Sequence, residues 1–515
     1  MLVKTYSAAV NGLDVNIVTI ETSVEIGQNL TLTGLGDEAV RESLSRIRTA
    51  FKYSNLKFPN KSITINLSPA NLRKAGSGFD LPIAISILAA NEGMIIDHLE
   101  EYLIVGELGL DGKLKPVKGA LPIAILARKN KYKGLIVPKD NQYEAAVVNN
   151  LDVYGIDTLQ EVVQLLSDQS DAKPLVIDTR KRFYEQQYKF ELDFADVRGQ
   201  ENVKRAMEVA AAGGHNLIMI GPPGSAKSMM AKRLPSILPP LSLSESLETT
   251  QIHSVAGKLP TDTSLISQRP FRAPHHTISQ VALVGGGTNP QPGEISLAHN
   301  GVLFADELPE FSKSTLEVLR QPLEDRRITI SRAKYTIEYP CSIMFVASMN
   351  PCPCGYFGDP THHCVCTVSQ ISKYMNKISG PLLDRIDIQC EIQPVPFEDI
   401  SKLQSGEPSA VIRERVIAAR KIQEKRYAAV KGVHCNAQMT EKMLNEYARL
   451  DNETMEMLRN AMQRLSLSAR AYSRILKVAR TIADLEGKEN IEMHHVAEAV
   501  SYRSLDRGDW ADRGV

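Results

Sequence analysis

The sequence predicts an α/β chain in three parts: a parallel-sheet core, a preceding segment of mixed strands and helices, and a following segment that is all helix. Three observations predict it. The apolar run Asn216-Leu-Ile-Met-Ile220 ends in a glycine-rich turn that leads into a helix start. Two later runs, Gly301-Val-Leu-Phe-Ala305 and Ser342-Ile-Met-Phe-Val-Ala-Ser348, have the length of buried strands and end in polar groups. Residues 397–515 carry helical periodicity almost throughout, with no convincing strand.

Residues 1–168 alternate short strands and helices. Ser62-Ile-Thr-Ile-Asn-Leu67 alternates polar and apolar side chains, as a strand with one buried face does. Asp80–Ala90 reads as a buried helix, with Pro82 in its first turn, where a missing N–H is tolerated. Residues 169–189, opening with Gln169-Ser-Asp-Ala-Lys-Pro174 and continuing in a charged run, read as a linker. The core takes residues 190–396. In the helical part, residues 397–515, the clearest helices are Val411–Lys431 and Ser468–Glu486.

The glycine-rich turn is Gly221, Pro222, Pro223, Gly224, Ser225, Ala226, Lys227 and Ser228. A strand, a glycine turn and Lys-Ser opening a helix form a phosphate-binding loop. N–H groups of the loop and helix N-terminus cradle phosphates, Lys227 reaches the terminal ones, and the Ser228 hydroxyl ligates magnesium. Ala226 stands where a glycine usually precedes the lysine, and a strained φ there would be costly for it. A chance Gly-Pro turn is the competing reading, but the flanking strand and helix are the context the motif demands. Binding of ATP or GTP follows.

The run from Gly301 ends in two adjacent carboxylates. Asp306 can hold magnesium through its water shell, and Glu307 can orient and deprotonate an attacking water. A plain strand cap is the alternative. Asn350, just past the third run, offers an amide that can polarise the same water. Lys227, Glu307 and Asn350 are thus the candidate catalytic groups, and hydrolysis is expected as well as binding.

Apolar residues make up 43% of the chain and charged ones 23%, which excludes a disordered or membrane class. Sixty Lys and Arg balance sixty Asp and Glu, so any contact with nucleic acid must come from a local patch. No apolar stretch approaches about eighteen residues, and the first residues lack a signal-peptide pattern. Seven cysteines, four of them clustered, argue against a secreted disulfide framework. A cytoplasmic protein without a membrane partner is expected.

With these landmarks, Asp196-Val-Arg-Gly-Gln200 and Ser379-Gly-Pro-Leu-Leu-Asp-Arg-Ile-Asp387 make the middle segment resemble a AAA+ ATPase of the magnesium-chelatase-like group. Phe271-Arg-Ala-Pro-His-His-Thr277, Gly285-Gly-Gly287 and Pro292-Gly-Glu-Ile-Ser-Leu-Ala-His299 resemble its ComM/YifB branch, and the resemblance covers essentially the whole chain. It implies a homo-oligomeric ring, usually a hexamer, with ATP and magnesium between neighbours. It also implies that Arg385 is an arginine finger reaching the neighbour's γ-phosphate; an ion pair with Asp384 or Asp387 is the alternative. Arg470 matches the family's sensor arginine, which contacts nucleotide from the lid formed by the helical part, with Arg474 one turn on as the fallback.

The N-terminal segment resembles the Lon protease domain through Gly106-Glu-Leu-Gly-Leu-Asp-Gly-Lys-Leu-Lys-Pro116, Gly119 and Ile136-Val-Pro-Lys139. The resemblance implies an α+β domain. Lon-type catalysis needs a serine nucleophile and a lysine base. The motif comparison puts Gly78 at the serine position, one residue from Ser77, and Pro122 at the lysine position. Proline cannot act as a base, so a protease fold without protease chemistry is expected.

Cys352, Cys354, Cys364 and Cys366 cluster after Asn350 and could hold a zinc ion, with His362 and His363 as substitute ligands. Reduced structural cysteines or an occasional disulfide compete with that reading. Asp325–Ile337 has strand, polar tip, strand character. By the resemblance to ring helicases, Arg332 or Lys334 would meet DNA phosphates in a pore, and a solvated hairpin tip is the alternative. His275 and His276 could form a second pore element, although structural histidines fit them better.

Three functions are open on the sequence. A ring ATPase moving on single-stranded or branched DNA, similar to a ComM-type branch-migration helicase in recombination and natural transformation, leads. The motor of a metal-chelatase complex and an ATP-dependent Lon-like protease follow; the first normally lacks the Lon-like segment and the second is disfavoured by Gly78 and Pro122.

Overall fold

The N-terminal sheet has seven strands in the order Leu30–Thr33, Ser62–Ser68, Asp14–Glu25, Leu2–Asn11, Tyr102–Ile104, Gly134–Pro138, Asp152–Ile156. Leu2–Asn11 and Asp14–Glu25 form an antiparallel hairpin, Ser62–Ser68 adds antiparallel to it, and the remaining pairs are parallel. The computed structural model describes residues 2–91, 96, 98–287, 290–332, 335–360, 362–393, 405–430, 432–465, 467–503 and 505, with Arg332 and Tyr335 described by backbone alone. The helix Asp80–Ala90 is buried at every position, as its apolar circumference requires. Its one buried carboxylate, Asp80, is met by Arg46 through two bonds of 2.9 and 3.0 Å. Burial still pushes the Asp80 carboxyl above its ordinary range, against the pull of Arg46.

This domain docks on the core. Gly119 N–H donates to the Ser254 carbonyl at 3.0 Å, and Leu121 N–H reaches the Ser254 hydroxyl at 3.4 Å. Ser254 lies on the helix Leu243–Ala256. Pro122 is buried in the helix Ala120–Lys129. Ser77 Oγ donates to Glu107, and the buried Lys74 Nζ donates to the Pro69 carbonyl.

The expected linker is partly folded. Residues Thr179–Gln186 form a helix capped by Asp178, and Phe183, 2% exposed, packs with Leu241 and Leu265 of the core. The Pro and Ser signals that mark a linker say nothing of one aromatic ring finding a distant pocket.

The central sheet is five parallel strands in the order Phe271–Arg272, Val302–Ala305, Met344–Met349, Leu217–Ile220, Ile388–Glu391. The three apolar runs read as strands thus lie side by side, and nearly all their residues are buried, as in a sheet covered on both faces. The C-terminal helices Ser409–Arg426, Glu441–Tyr447, Asn452–Arg464, Ala469–Leu485 and Met493–Ser501 follow, in line with the all-helical expectation.

These helices share one apolar core with the sheet: Leu217, Met219 and Ile388 lie in the same cluster as Val416, Ile475 and Ile482. A buried polar network crosses the same junction. His215, fully buried, bonds Asp387 at 3.2 Å through Nδ1 and Thr481 at 2.8 Å through Nε2, while Arg474 Nη1 donates to Asp387 at 2.9 Å. Burial works to raise Asp387, but Arg474 and His215 hold it below the ordinary carboxylate range. Burial lowers His215 below its ordinary value of 6.5, against the pull of Asp387.

Both shifts are downward, so both groups contribute stability that is complete above their unfolded values and is lost as pH falls. For His215 the loss begins near 6.5. The unfolding temperature is therefore expected to drop between about pH 7 and about pH 5. His215→Asn, which removes the titrating ring, should make that drop shallower; an equally steep drop in the variant overturns the assignment.

Candidate nucleotide-hydrolysing site

The site lies at the carboxyl ends of the parallel strands, where ligands of open α/β sheets bind. Leu217–Ile220 runs into the phosphate loop, and Lys227 opens the helix Lys227–Arg233. Lys227 Nζ donates to the Gly221 carbonyl at 2.7 Å and the Pro222 carbonyl at 2.8 Å, with Asn350 Oδ1 at 3.3 Å. Burial lowers this lysine, and the charges of Asp306 and Glu307 oppose the shift. Ser228 Oγ donates to Asp306 Oδ2 at 2.7 Å, and Ser348 Oγ donates to Asp306 Oδ1. The two expected magnesium ligands are therefore adjacent, and their hard oxygens suit that cation.

Ala226 adopts φ +64°, the left-handed conformation that glycine normally supplies at this point, and Gly224 adopts φ +78°. The loop keeps its shape at a cost of about 1 kcal/mol at the alanine. Glu307 also has positive φ, +53°, and its N–H bonds Ser348 Oγ at 3.3 Å. The Glu307 carboxylate comes near His276, whose Nδ1 lies 3.8 Å from Glu307 Oε2. The sequence analysis missed this partner. Its only signal was the strand Phe271–Arg272 just ahead of it, which is too short to be seen by periodicity. Arg272 pairs with Glu294 at 2.6 and 2.7 Å, which joins the Phe271–Thr277 and Pro292–His299 strings.

Arg385 donates through Nε to the Arg320 carbonyl at 3.1 Å and pairs with Glu324. Asp384 and Asp387, its alternative partners by sequence, are taken by Arg470 and Arg474. Arg385, Arg470, Arg474 and Lys477 line one cleft of about 550 Å³. Among the described residues lining it, none belongs to the phosphate loop.

The strands Arg327–Arg332 and Tyr335–Pro340 pair antiparallel with Arg332 opposite Tyr335 at the tip, as the pattern predicts. Lys334 lies outside the described residues, as does the side chain of Arg332. Gly12 packs on this hairpin, since a Cβ there would meet Ile337 Cγ2 at 2.4 Å.

The four clustered cysteines converge. Sγ separations are 3.3 Å for Cys352–Cys354, 3.7 Å for Cys352–Cys364 and 3.6 Å for Cys354–Cys364, and Cys366 Sγ lies within 4.8 Å of the others. His362 stacks on Tyr356 instead, with centroids 4.8 Å apart.

A five-stranded parallel sheet with a phosphate loop, an Asp-Glu strand end and a helical lid defines an AAA+-type P-loop ATPase. Residues 193–400 match a family model described as magnesium chelatase, subunit ChlI. Residues 20–141 match one for subunit ChlI of Mg-chelatase, and residues 406–503 match one for the subunit's C-terminal part. The chain is 44% identical over 508 residues to competence protein ComM of Haemophilus influenzae, covering 98% of this chain and 97% of that one. It is 43% identical over 505 residues to the uncharacterized protein YifB of Escherichia coli, covering 98% and 97%. Lon protease 2 of Bacillus subtilis is 25% identical over 198 residues, covering 33% of this chain and 35% of the protease. The chain belongs to the ComM/YifB branch of the magnesium-chelatase-like AAA+ ATPase family, which implies use of ATP and magnesium.

Lys227→Ala is expected to weaken ATP binding about 10-fold or more, because it removes charge-assisted bonds to phosphate. Glu307→Gln should bind ATP as well as the parent and hydrolyse it about 100-fold more slowly. Near-parental turnover by Glu307→Gln would mean that another group takes the proton. Ala226→Gly should relieve the left-handed strain and raise thermal stability by up to about 1 kcal/mol.

Proposed function

We propose that this chain is one subunit of an ATP-hydrolysing ring motor that acts on DNA, of the branch-migration helicase type that serves recombination and natural transformation. The near-full-length similarity to the competence protein ComM carries this reading. Glu307 takes the proton of the attacking water, Asn350 orients it, and Lys227 meets charge at the terminal phosphate. Ser228 and Asp306 would hold magnesium, which neutralises phosphate charge when bound. Arg385 acts in trans. The grouping of Arg385 with Arg470 in a cleft apart from the phosphate loop supports a site completed by a neighbour in a homo-oligomer, taken here as a hexamer. A cytoplasmic location accords with a DNA substrate and reduced thiols; among the described residues no helix is long and apolar enough to cross a membrane.

DNA contact must come from a few basic groups repeated around the ring, since the chain is neutral overall. Arg332 and Lys334 are the proposed contacts. A metal-chelatase motor is the second reading, favoured by the family descriptions; the model for residues 20–141 carries the same description, so the N-terminal segment does not separate the two. The full-length relative favours DNA. A protease role is set aside because Pro122 supplies no base and Lys74 is turned to the Pro69 carbonyl.

The deciding measurement is ATPase rate with single-stranded or forked DNA, with a porphyrin and its metal, and with unfolded protein. DNA should stimulate it, with binding that weakens steeply with salt and tolerates sequence changes. Arg332→Ala with Lys334→Ala should lower DNA affinity about 10-fold or more. Absence of DNA binding even at low salt overturns the DNA motor. Mixing Arg385→Ala with Glu307→Gln should restore activity above either alone, since some interfaces then hold one intact Glu307 and one intact Arg385. A mixture that forms shared rings without regaining activity refutes action in trans.

A further inference from the structure

Between the strand Met344–Met349 and the helix Val368–Met375 the chain runs through residues 350–367 without a strand or helix among the described residues. Its apolar filling is thin: Cys352 and Ile371 are buried, and the other three cysteines with Phe357 and Met375 pack around them. Loops this long seldom hold a fixed shape on so small a core. The cysteine sulfurs themselves occupy the centre. An ion bound tetrahedrally with bonds of about 2.3 Å spaces its ligands about 3.8 Å apart. The measured separations of 3.3, 3.6 and 3.7 Å approach that spacing. An iron–sulfur cluster spreads its thiolates over several irons and needs a wider ring of ligands than this.

We propose that Cys352, Cys354, Cys364 and Cys366 hold one structural zinc ion that clamps their loop against the phosphate loop. The four thiols lose their protons as the ion binds. The clamp follows from contact. A Cβ on Gly355, the residue after Cys354, would lie 2.6 Å from Pro223 Cδ and 3.9 Å from Asn350 Cγ. The glycine therefore lets the cysteine loop lie directly on Pro223, and the same loop begins at Asn350, which bonds Lys227. The ion backs the nucleotide site from outside without touching nucleotide, and this part rests on the ATPase reading above.

Elemental analysis of the full-length chain, purified under reducing conditions, should find about one zinc per chain. Cobalt added after chelator stripping should give the visible bands of a tetrahedral thiolate site. Less than about a tenth of a zinc, with no cobalt spectrum on thiols shown to be reduced, overturns the proposal; iron in place of zinc overturns the metal assignment. Cys364→Ser with Cys366→Ser changes two partly exposed positions, with folding checked by circular dichroism. It should lose the zinc and weaken binding of a fluorescent ATP analogue about 5-fold or more, a typical loss when support around a site is removed. Full zinc retention in this variant moves the metal to another site, such as Glu486, His494 and His495, and overturns the proposal. Loss of zinc with unchanged nucleotide affinity overturns the clamp. A parent chain that holds zinc but binds no nucleotide refutes the ATPase reading and leaves the zinc site standing.

Discussion

Ile220 pairs with Met349 on one side and Glu391 on the other, and this register of the central strand sets the rest of the site. It starts the phosphate loop beside the end of the Met344–Met349 strand, so Lys227 meets Asn350. The next pairing, Ala305 with Ala347, carries Asp306 to Ser228. A shift of one residue in any of these parallel pairs would turn buried side chains to the other face and separate the four groups. The apolar faces above and below the sheet make such a shift costly, so the register is set by burial and the bonds Lys227–Asn350 and Ser228–Asp306 follow from it.

The same sheet tells the arginines apart. Arg474 is bound to Asp387 at the junction of core and lid, where removal of the arginine would take a partner from the buried Asp387 carboxylate. Its position is structural. Arg470 pairs with Asp384 but is 69% exposed at the side chain. A pair in that setting contributes little, so releasing the guanidinium to another anion costs little. Arg385 is the least exposed of the three, 18% against 26% for Arg474, and is held by Glu324 and two carbonyls. Physical availability thus favours Arg470 over Arg474 as the group that can change partners.

The N-terminal domain is packed onto the ATPase core. Backbone bonds from Gly119 and Leu121 to Ser254 use the segment that includes Pro122 as a docking edge. The hairpin turn at Gly12 packs on Ile337, next to the tip that carries Arg332. A domain with a protease-like pattern, in which Pro122 stands at the lysine position, thus contacts the hairpin formed by Arg327–Arg332 and Tyr335–Pro340.

The sequence by itself determined the phosphate loop, the Asp-Glu strand end, Asn350, the strand-tip-strand hairpin and the all-helical C-terminal part. Each is a local pattern whose residues are neighbours in the chain, so spacing and residue type suffice. It also marked the four cysteines as a group. Only the tertiary structure decided that His276 faces Glu307, that Arg385 turns to Glu324 instead of its sequence neighbours, that Phe183 folds part of the linker, and that the cysteine loop rests on Pro223. These depend on which surfaces meet after the sheet has formed, and on backbone turns such as the positive φ at Glu307 and Ala226. No periodicity records such long-range contacts, because their energy comes from burial and charge pairing between segments far apart in the chain.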